Sequence, residues 1–139
     1  MQAAEALGDP RDLERAERIA AMWARVASAR GLPRWDLDVA SGPRDASAAA
    51  IAAAGAARLA QLRCRGVARC AAARPYRRLA WRLLAPVLDR VERLAPLGRL
   101  GWQVYAYGGP KWDENAEFLF GIDFTLEAVA RLRARGVQG

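Results

Sequence analysis

A run of arginines without acidic residues is the part of this chain best suited to chemistry. Residues 46–88 contain no aspartate or glutamate, yet they carry eight arginines. Such a segment repels itself unless a negative group lies near it, in the same fold or on an external polyanion. Arginine's planar fork holds a phosphate through two hydrogen bonds. Seven of these arginines are predicted to form a phosphate-binding surface: Arg58, Arg65, Arg69, Arg74, Arg77, Arg78 and Arg82.

The aromatic neighbours Tyr76 and Trp81 add side chains on which a base could stack. The sequence therefore predicts non-catalytic nucleic-acid binding by a small regulatory or assembly protein, without distinguishing DNA from RNA. The alternative is an accessory subunit or adaptor whose arginine surface meets an acidic protein. Of the 22 basic residues 21 are arginine, but GC-rich codon usage produces the same preference. The prediction of nucleic-acid binding therefore rests on the absence of acidic residues from 46–88 and not on the preference for arginine.

Tryptophan is the second compositional signal. The chain has five tryptophans, and Trp112 lies between Lys111 and Asp113 in a predicted loop, where burial in a monomer is not expected. Exposed tryptophan and arginine anchor protein interfaces. Trp112 and Tyr107 are therefore predicted to bind a partner, with a homo-oligomer left open and a fold-back of Trp112 over its own hairpin as the other interpretation.

Catalysis is not expected. The chain has no histidine, so the common pairings of a nucleophile with its general base lose their usual base. Two sets of carboxylates could hold a hard cation, but their spacing forces no convergence. They are Asp36 with Asp38, and Asp113, Glu114, Glu117 and Asp123. The prediction is no enzyme activity, no cofactor and no metal.

The two cysteines, Cys64 and Cys70, would point about 240° apart if they lay on one helix. They are predicted to be free thiols in a reducing compartment. No secretory leader is recognisable at the N-terminus, and the weakly polar run 46–57 is too short to span a bilayer. The expectation is a cytoplasmic protein.

Helix signals cover the first two thirds of the chain. Asp9 and Pro10 are predicted to start a helix over residues 10–30, and period-two apolar spacing suits a short strand within 33–43. Asp45 is predicted to cap a helix over 46–65, whose small side chains would let another helix approach closely. A further amphipathic helix is predicted from Pro75 to residue 94, kinked or broken by Pro86. A break would create an element like a helix-turn-helix.

The last forty residues change character. Alternating residues 102–107 and 118–122 predict a β-hairpin with a loop over 108–115, and Thr125 is predicted to cap a helix over 126–135. The predicted fold is mainly α (α+β), with three to five helices and a small antiparallel β-hairpin or three-stranded sheet near the C-terminus. The chain is predicted to be one domain over 1–139, helical over 10–100, with the hairpin and terminal helix over 101–136.

Overall fold

Four α-helices are the main elements among the residues that the computed structural model describes. They are α1 (Pro10–Val26), α2 (Ala46–Leu62), α3 (Arg74–Leu88) and α4 (Leu119–Arg133), and a short 3-10 helix, Ala71–Ala73, leads into α3. The structure describes residues 9–27, 31–38, 40–64, 70–89, 91–92, 99–100, 103–105, 113–116 and 119–134. Side-chain surroundings are described for 9–27, 31–38, 40–64, 70–89 and 121–134.

Two aspartates start the first two helices, as predicted. The Asp9 carboxylate accepts a hydrogen bond from the Arg11 backbone N–H at 2.8 Å, and Pro10 opens the helix. The buried Asp45 accepts from the Ser47 backbone N–H at 2.8 Å. Each carboxylate satisfies a donor that has no partner inside the helix, and its charge favours the positive end of the helix dipole.

The alanine-rich helix α2 lies at the centre of the fold. Eleven of its 17 residues are buried, nine of them alanines, and both α3 and α4 pack against it. Alanine side chains let neighbouring backbones approach closely, so the predicted close approach is confirmed, with two partner helices. Of the larger apolar side chains on this helix, Leu59 is buried whereas Ile51 is 42% exposed.

The other helices cover this centre with longer side chains. Leu79, Leu83 and Leu84 of α3 and Leu132 of α4 belong to the same buried cluster as the α2 alanines. Helix α1 adds the buried Ala16 and Ala20, with Leu13 and Trp23 partly buried beside them. The core therefore combines leucine from the outer helices with alanine from the central one.

Helix α3 confirms the predicted apolar periodicity but ends earlier than predicted. It is continuous through Pro86 and ends at Leu88, where the Asp89 backbone N–H donates to the Ala85 carbonyl at 3.0 Å. Pro86 has no backbone N–H to donate to the Arg82 carbonyl. The helix ends two residues later, so the missing hydrogen bond lies in its last turn. Helix α3 is not broken at Pro86, and residues 91–92, the next described segment, form a strand, so the described residues do not show the helix-turn-helix break.

The short strand predicted within 33–43 is wrong. This segment forms turns closed by one antiparallel bridge between Arg34 and Arg44, in which the Trp35 N–H donates to the Pro43 carbonyl at 3.0 Å. Gly42 has φ of +119°, a backbone conformation that side-chain-bearing residues rarely adopt. The bend at this glycine returns the chain to the start of α2.

The predicted C-terminal hairpin is also wrong. Its second strand, 118–122, falls largely within α4, because Phe124, Ala128 and Leu132 extend an apolar spacing of four residues that favours a helix. Thr125 lies inside that helix, where its hydroxyl donates to the Gly121 carbonyl at 2.7 Å, so it is not the cap.

Only short strand segments occur between α3 and α4 in the described residues. Strand β1 (Val91–Glu92) pairs antiparallel with β2 (Arg99–Leu100), and β3 (Gln103–Tyr105) pairs antiparallel with β4 (Asp113–Ala116). Strand β4 occupies the predicted loop. Where side-chain surroundings are described, the chain is helical without strands, so the predicted α+β class is corrected to a helical one.

Candidate nucleic-acid interface

The solvent side of α3 carries three of the seven predicted phosphate-binding arginines. Arg74, Arg78 and Arg82 are exposed and follow one another every four residues, so they share one face and span about 12 Å along the axis. Trp81 is 45% exposed beside Arg82. We call these four residues the α3 face. The apolar side of the same helix is buried against α2, which leaves this side facing solvent.

No ion pair among the described residues involves the three arginines of the α3 face. The ion pairs described elsewhere use other arginines, such as Arg11 with Asp9 and Arg15 with Asp12. A cationic row without carboxylate partners raises the local positive potential and attracts polyanions.

Two predicted arginines point to α4 instead. Arg58 Nη2 lies 3.2 Å from Glu127 Oε1, and Arg77 Nη2 donates to the Leu132 carbonyl at 3.5 Å. The structure does not bring these two residues onto the α3 face. The linear sequence could not show this, because the orientation of each depends on the position of α4.

Four other predicted site residues lie outside the described residues. They are Arg65 and Arg69 of the phosphate-binding set, and Tyr107 and Trp112 of the partner-binding set. The prediction for each of them stays a prediction.

The prediction of free thiols is wrong. Cys64 and Cys70 form a disulfide with a Cα–Cα distance of 5.7 Å. Helix α2 ends at Leu62, so the two cysteines do not follow one helix and the 240° separation does not apply. The disulfide closes a short loop between α2 and α3. The expectation of a reducing compartment was based on free thiols, and the disulfide removes that basis.

A polar cluster missed by the sequence analysis joins α1 to this junction. Glu17 of α1 accepts a hydrogen bond from Arg63 and another from the Tyr76 hydroxyl, the latter at 2.8 Å. Burial would raise the pKa of Glu17, but the hydrogen bonds from Arg63 and Tyr76 outweigh it and hold this pKa below its ordinary 4.5. Burial, followed by the hydrogen bond to Glu17, raises the pKa of Tyr76.

This cluster makes the docking of α1 sensitive to acid. A carboxyl group whose pKa is lowered in the folded state stabilises that state above its unfolded pKa, and the contribution is lost as pH falls through the folded value. The thermal unfolding midpoint should therefore decrease as the pH is lowered below about 4.5. The decrease with pH should be less steep in a Glu17→Gln variant. Replacement of the exposed Glu14 on the same helix by glutamine is the control, and equal pH slopes for all three proteins would contradict this role.

The described residues contain no group of three or more cysteine, aspartate or glutamate side chains able to hold a metal ion. No helix among them is both long and apolar enough to cross a bilayer. Comparison with protein-family models, curated proteins and solved structures finds no match for this chain.

Proposed function

We propose that this protein binds nucleic acid without catalysis, through the α3 face. The observation that carries the proposal is the exposed row Arg74, Arg78 and Arg82 on a helix whose other side is buried. Their guanidinium groups suit phosphates, which supply most of the sequence-independent affinity for nucleic acid. Trp81 offers a flat side chain on which an unpaired base can stack.

Helix α3 also lies in the segment 46–88 that has no acidic residue. A polyanion approaching this face therefore meets no carboxylate from the same segment. The nearest acid beyond it along the helix is the exposed Asp89 at the C-cap. For this reason, we propose that the phosphates contact Arg74, Arg78 and Arg82.

The test is a salt series on binding to duplex DNA, single-stranded DNA and RNA. Replacing Arg78 and Arg82 together by alanine should weaken binding to all sequences and flatten the slope of log K against log salt by about two, because each lost phosphate contact releases about one counterion fewer. A matched variant that loses Arg18 and Arg133, exposed arginines on α1 and α4, controls for net charge.

The two variants separate a site from a general charge effect. Equal weakening in both would assign the affinity to net charge and contradict the α3 face. Undetectable binding of the native protein to all three polymers at low salt would exclude the proposed function altogether.

The second candidate is binding to an acidic protein. It is favoured by Trp81 and Leu88, which are 45% and 37% exposed on the helix that carries the arginines. Tryptophan and arginine are the residues most often found as anchors of protein interfaces. This candidate requires the native protein to bind acidic protein surfaces more tightly than nucleic acid at the same salt concentration.

A further inference from the structure

The exposed side of α3 carries apolar residues as well as arginines. Trp81 and Leu88 are 45% and 37% exposed, and they are seven positions apart, so they lie on nearly the same side of the helix. At 3.6 residues per turn, they are displaced around the axis from Arg78 by about 60° and about 80° in the same direction. The exposed Ala85 lies between them along the helix. We call Trp81, Ala85 and Leu88 the apolar strip.

The apolar strip lies beside the three arginines of the α3 face. Trp81 follows Arg78 by about 4.5 Å along the axis and precedes Arg82 by about 1.5 Å. Its side chain is therefore placed next to the last interval between two arginines. The exposed Asp89 follows at the C-cap and ends the positive region. Helix α3 thus presents a cationic surface and an apolar surface side by side.

A single nucleic-acid strand offers two features that match these two surfaces. Its backbone carries the phosphates, and its unpaired bases expose flat faces that stack on aromatic side chains. A duplex carries phosphates on both strands, but its base faces are stacked on one another, and only the base edges are open to the grooves. The exposed Trp81 ring therefore has a stacking partner in a single strand and none within an intact duplex.

The composition of α3 also disfavours reading of base edges. The helix contains no asparagine, glutamine, serine, threonine or lysine, which leaves arginine as its only side chain of the kind that bonds base edges in the major groove. The proposed function assigns its exposed arginines to phosphates. Stacking together with phosphate contact is the mode by which proteins bind single strands without sequence preference.

We propose that the α3 face binds single-stranded nucleic acid in preference to duplex, with the phosphates on its arginines and one base stacked on Trp81. This inference rests on the proposed function, and it adds the class of strand and the place of a base. The small Ala85 leaves room beside the stacked base, and Leu88 extends the apolar contact. The chemistry is common to single strands of DNA and RNA.

The first experiment compares an oligothymidylate with an abasic oligonucleotide of the same length, which keeps the phosphates and lacks the bases. The native protein should bind the thymidine strand about tenfold more tightly, a difference in the range expected for one stacked base. Trp81→Ala should lower the affinity for the thymidine strand by about the same factor and leave the affinity for the abasic strand unchanged. Equal affinities of the native protein for the two strands would overturn the inference.

Further variants separate stacking from general apolar contact. Trp81→Phe keeps an aromatic ring and should retain most of the affinity for the thymidine strand, whereas Trp81→Leu should not. Trp35, 41% exposed in the turns before α2, is the matched tryptophan outside the α3 face. Trp35→Ala should leave both affinities unchanged. An equal loss in Trp35→Ala and Trp81→Ala would overturn the assignment of the base to Trp81.

A duplex of the same length and an oligouridylate complete the comparison at one salt concentration. The duplex has the higher charge density, so tighter binding of a single strand requires contacts to its bases. The tighter of the two single strands identifies DNA or RNA, and either result supports the inference. Equal or tighter binding of the duplex would overturn the inference and leave the proposed function standing, whereas no binding to any of these polymers would contradict both. Tighter binding of poly-glutamate than of either single strand would assign the face to an acidic protein and overturn the inference.

Discussion

Replacing Ala53 with leucine should lower the free energy of unfolding by about 2–3 kcal/mol, because overpacking a dense core forces strained rotamers or backbone shifts. Ala53 is fully buried in the middle of α2. It belongs to the same cluster as Leu84 of α3 and Ala128 of α4, which are also fully buried. The three added carbon atoms therefore have to be accommodated within a buried cluster to which both neighbouring helices contribute.

Denaturant unfolding measures this effect, with Ala85→Leu as the control. Ala85 is exposed on α3, so leucine at this position adds the same atoms without entering the core. The control should differ from the native protein by no more than about 0.5 kcal/mol. Similar stability of the two variants would contradict the central, tightly enclosed position of α2.

Removing the disulfide should have the next largest effect. The bridge closes a loop of seven residues from Cys64 to Cys70, and the loop-entropy model gives a stabilisation of about 2 kcal/mol for a loop of this size. Cys64 is buried against Ala60 and Ala73, with Tyr76 packed beside it. The double replacement of both cysteines by alanine should therefore lower the thermal midpoint by several degrees.

Reduction of the native protein is the matched control for that replacement. A dithiol reductant should lower the midpoint of the native protein to about that of the double variant, and it should leave the variant unchanged. A count of two free thiols in the untreated, folded protein would contradict the disulfide. Arg65 and Arg69 lie between the cysteines in sequence, so the same pair of samples also tests whether closing this loop affects nucleic-acid affinity.

Several features of the fold follow from the sequence alone, and all of them are local. Asp9 and Asp45 predict where α1 and α2 begin, since a capping carboxylate needs only the backbone N–H two residues later. The buried face of α3 follows from apolar residues at helical spacing. The acid-free segment 46–88 is likewise visible in the sequence, and it leads to the exposed arginines of the α3 face.

Tertiary structure decided the features that depend on contacts between distant residues. Period-two spacing over residues 118–122 is equally compatible with a strand, and the burial of Ala128 and Leu132 against the other helices favours α4. Alanine has too little apolar surface to mark a core helix by pattern, so the central place of α2 depends on its neighbours. The end of α2 at Leu62 allows Cys64 to meet Cys70. Arg58 and Arg77 turn to α4 because Glu127 and the Leu132 carbonyl, more than fifty residues away, supply their acceptors.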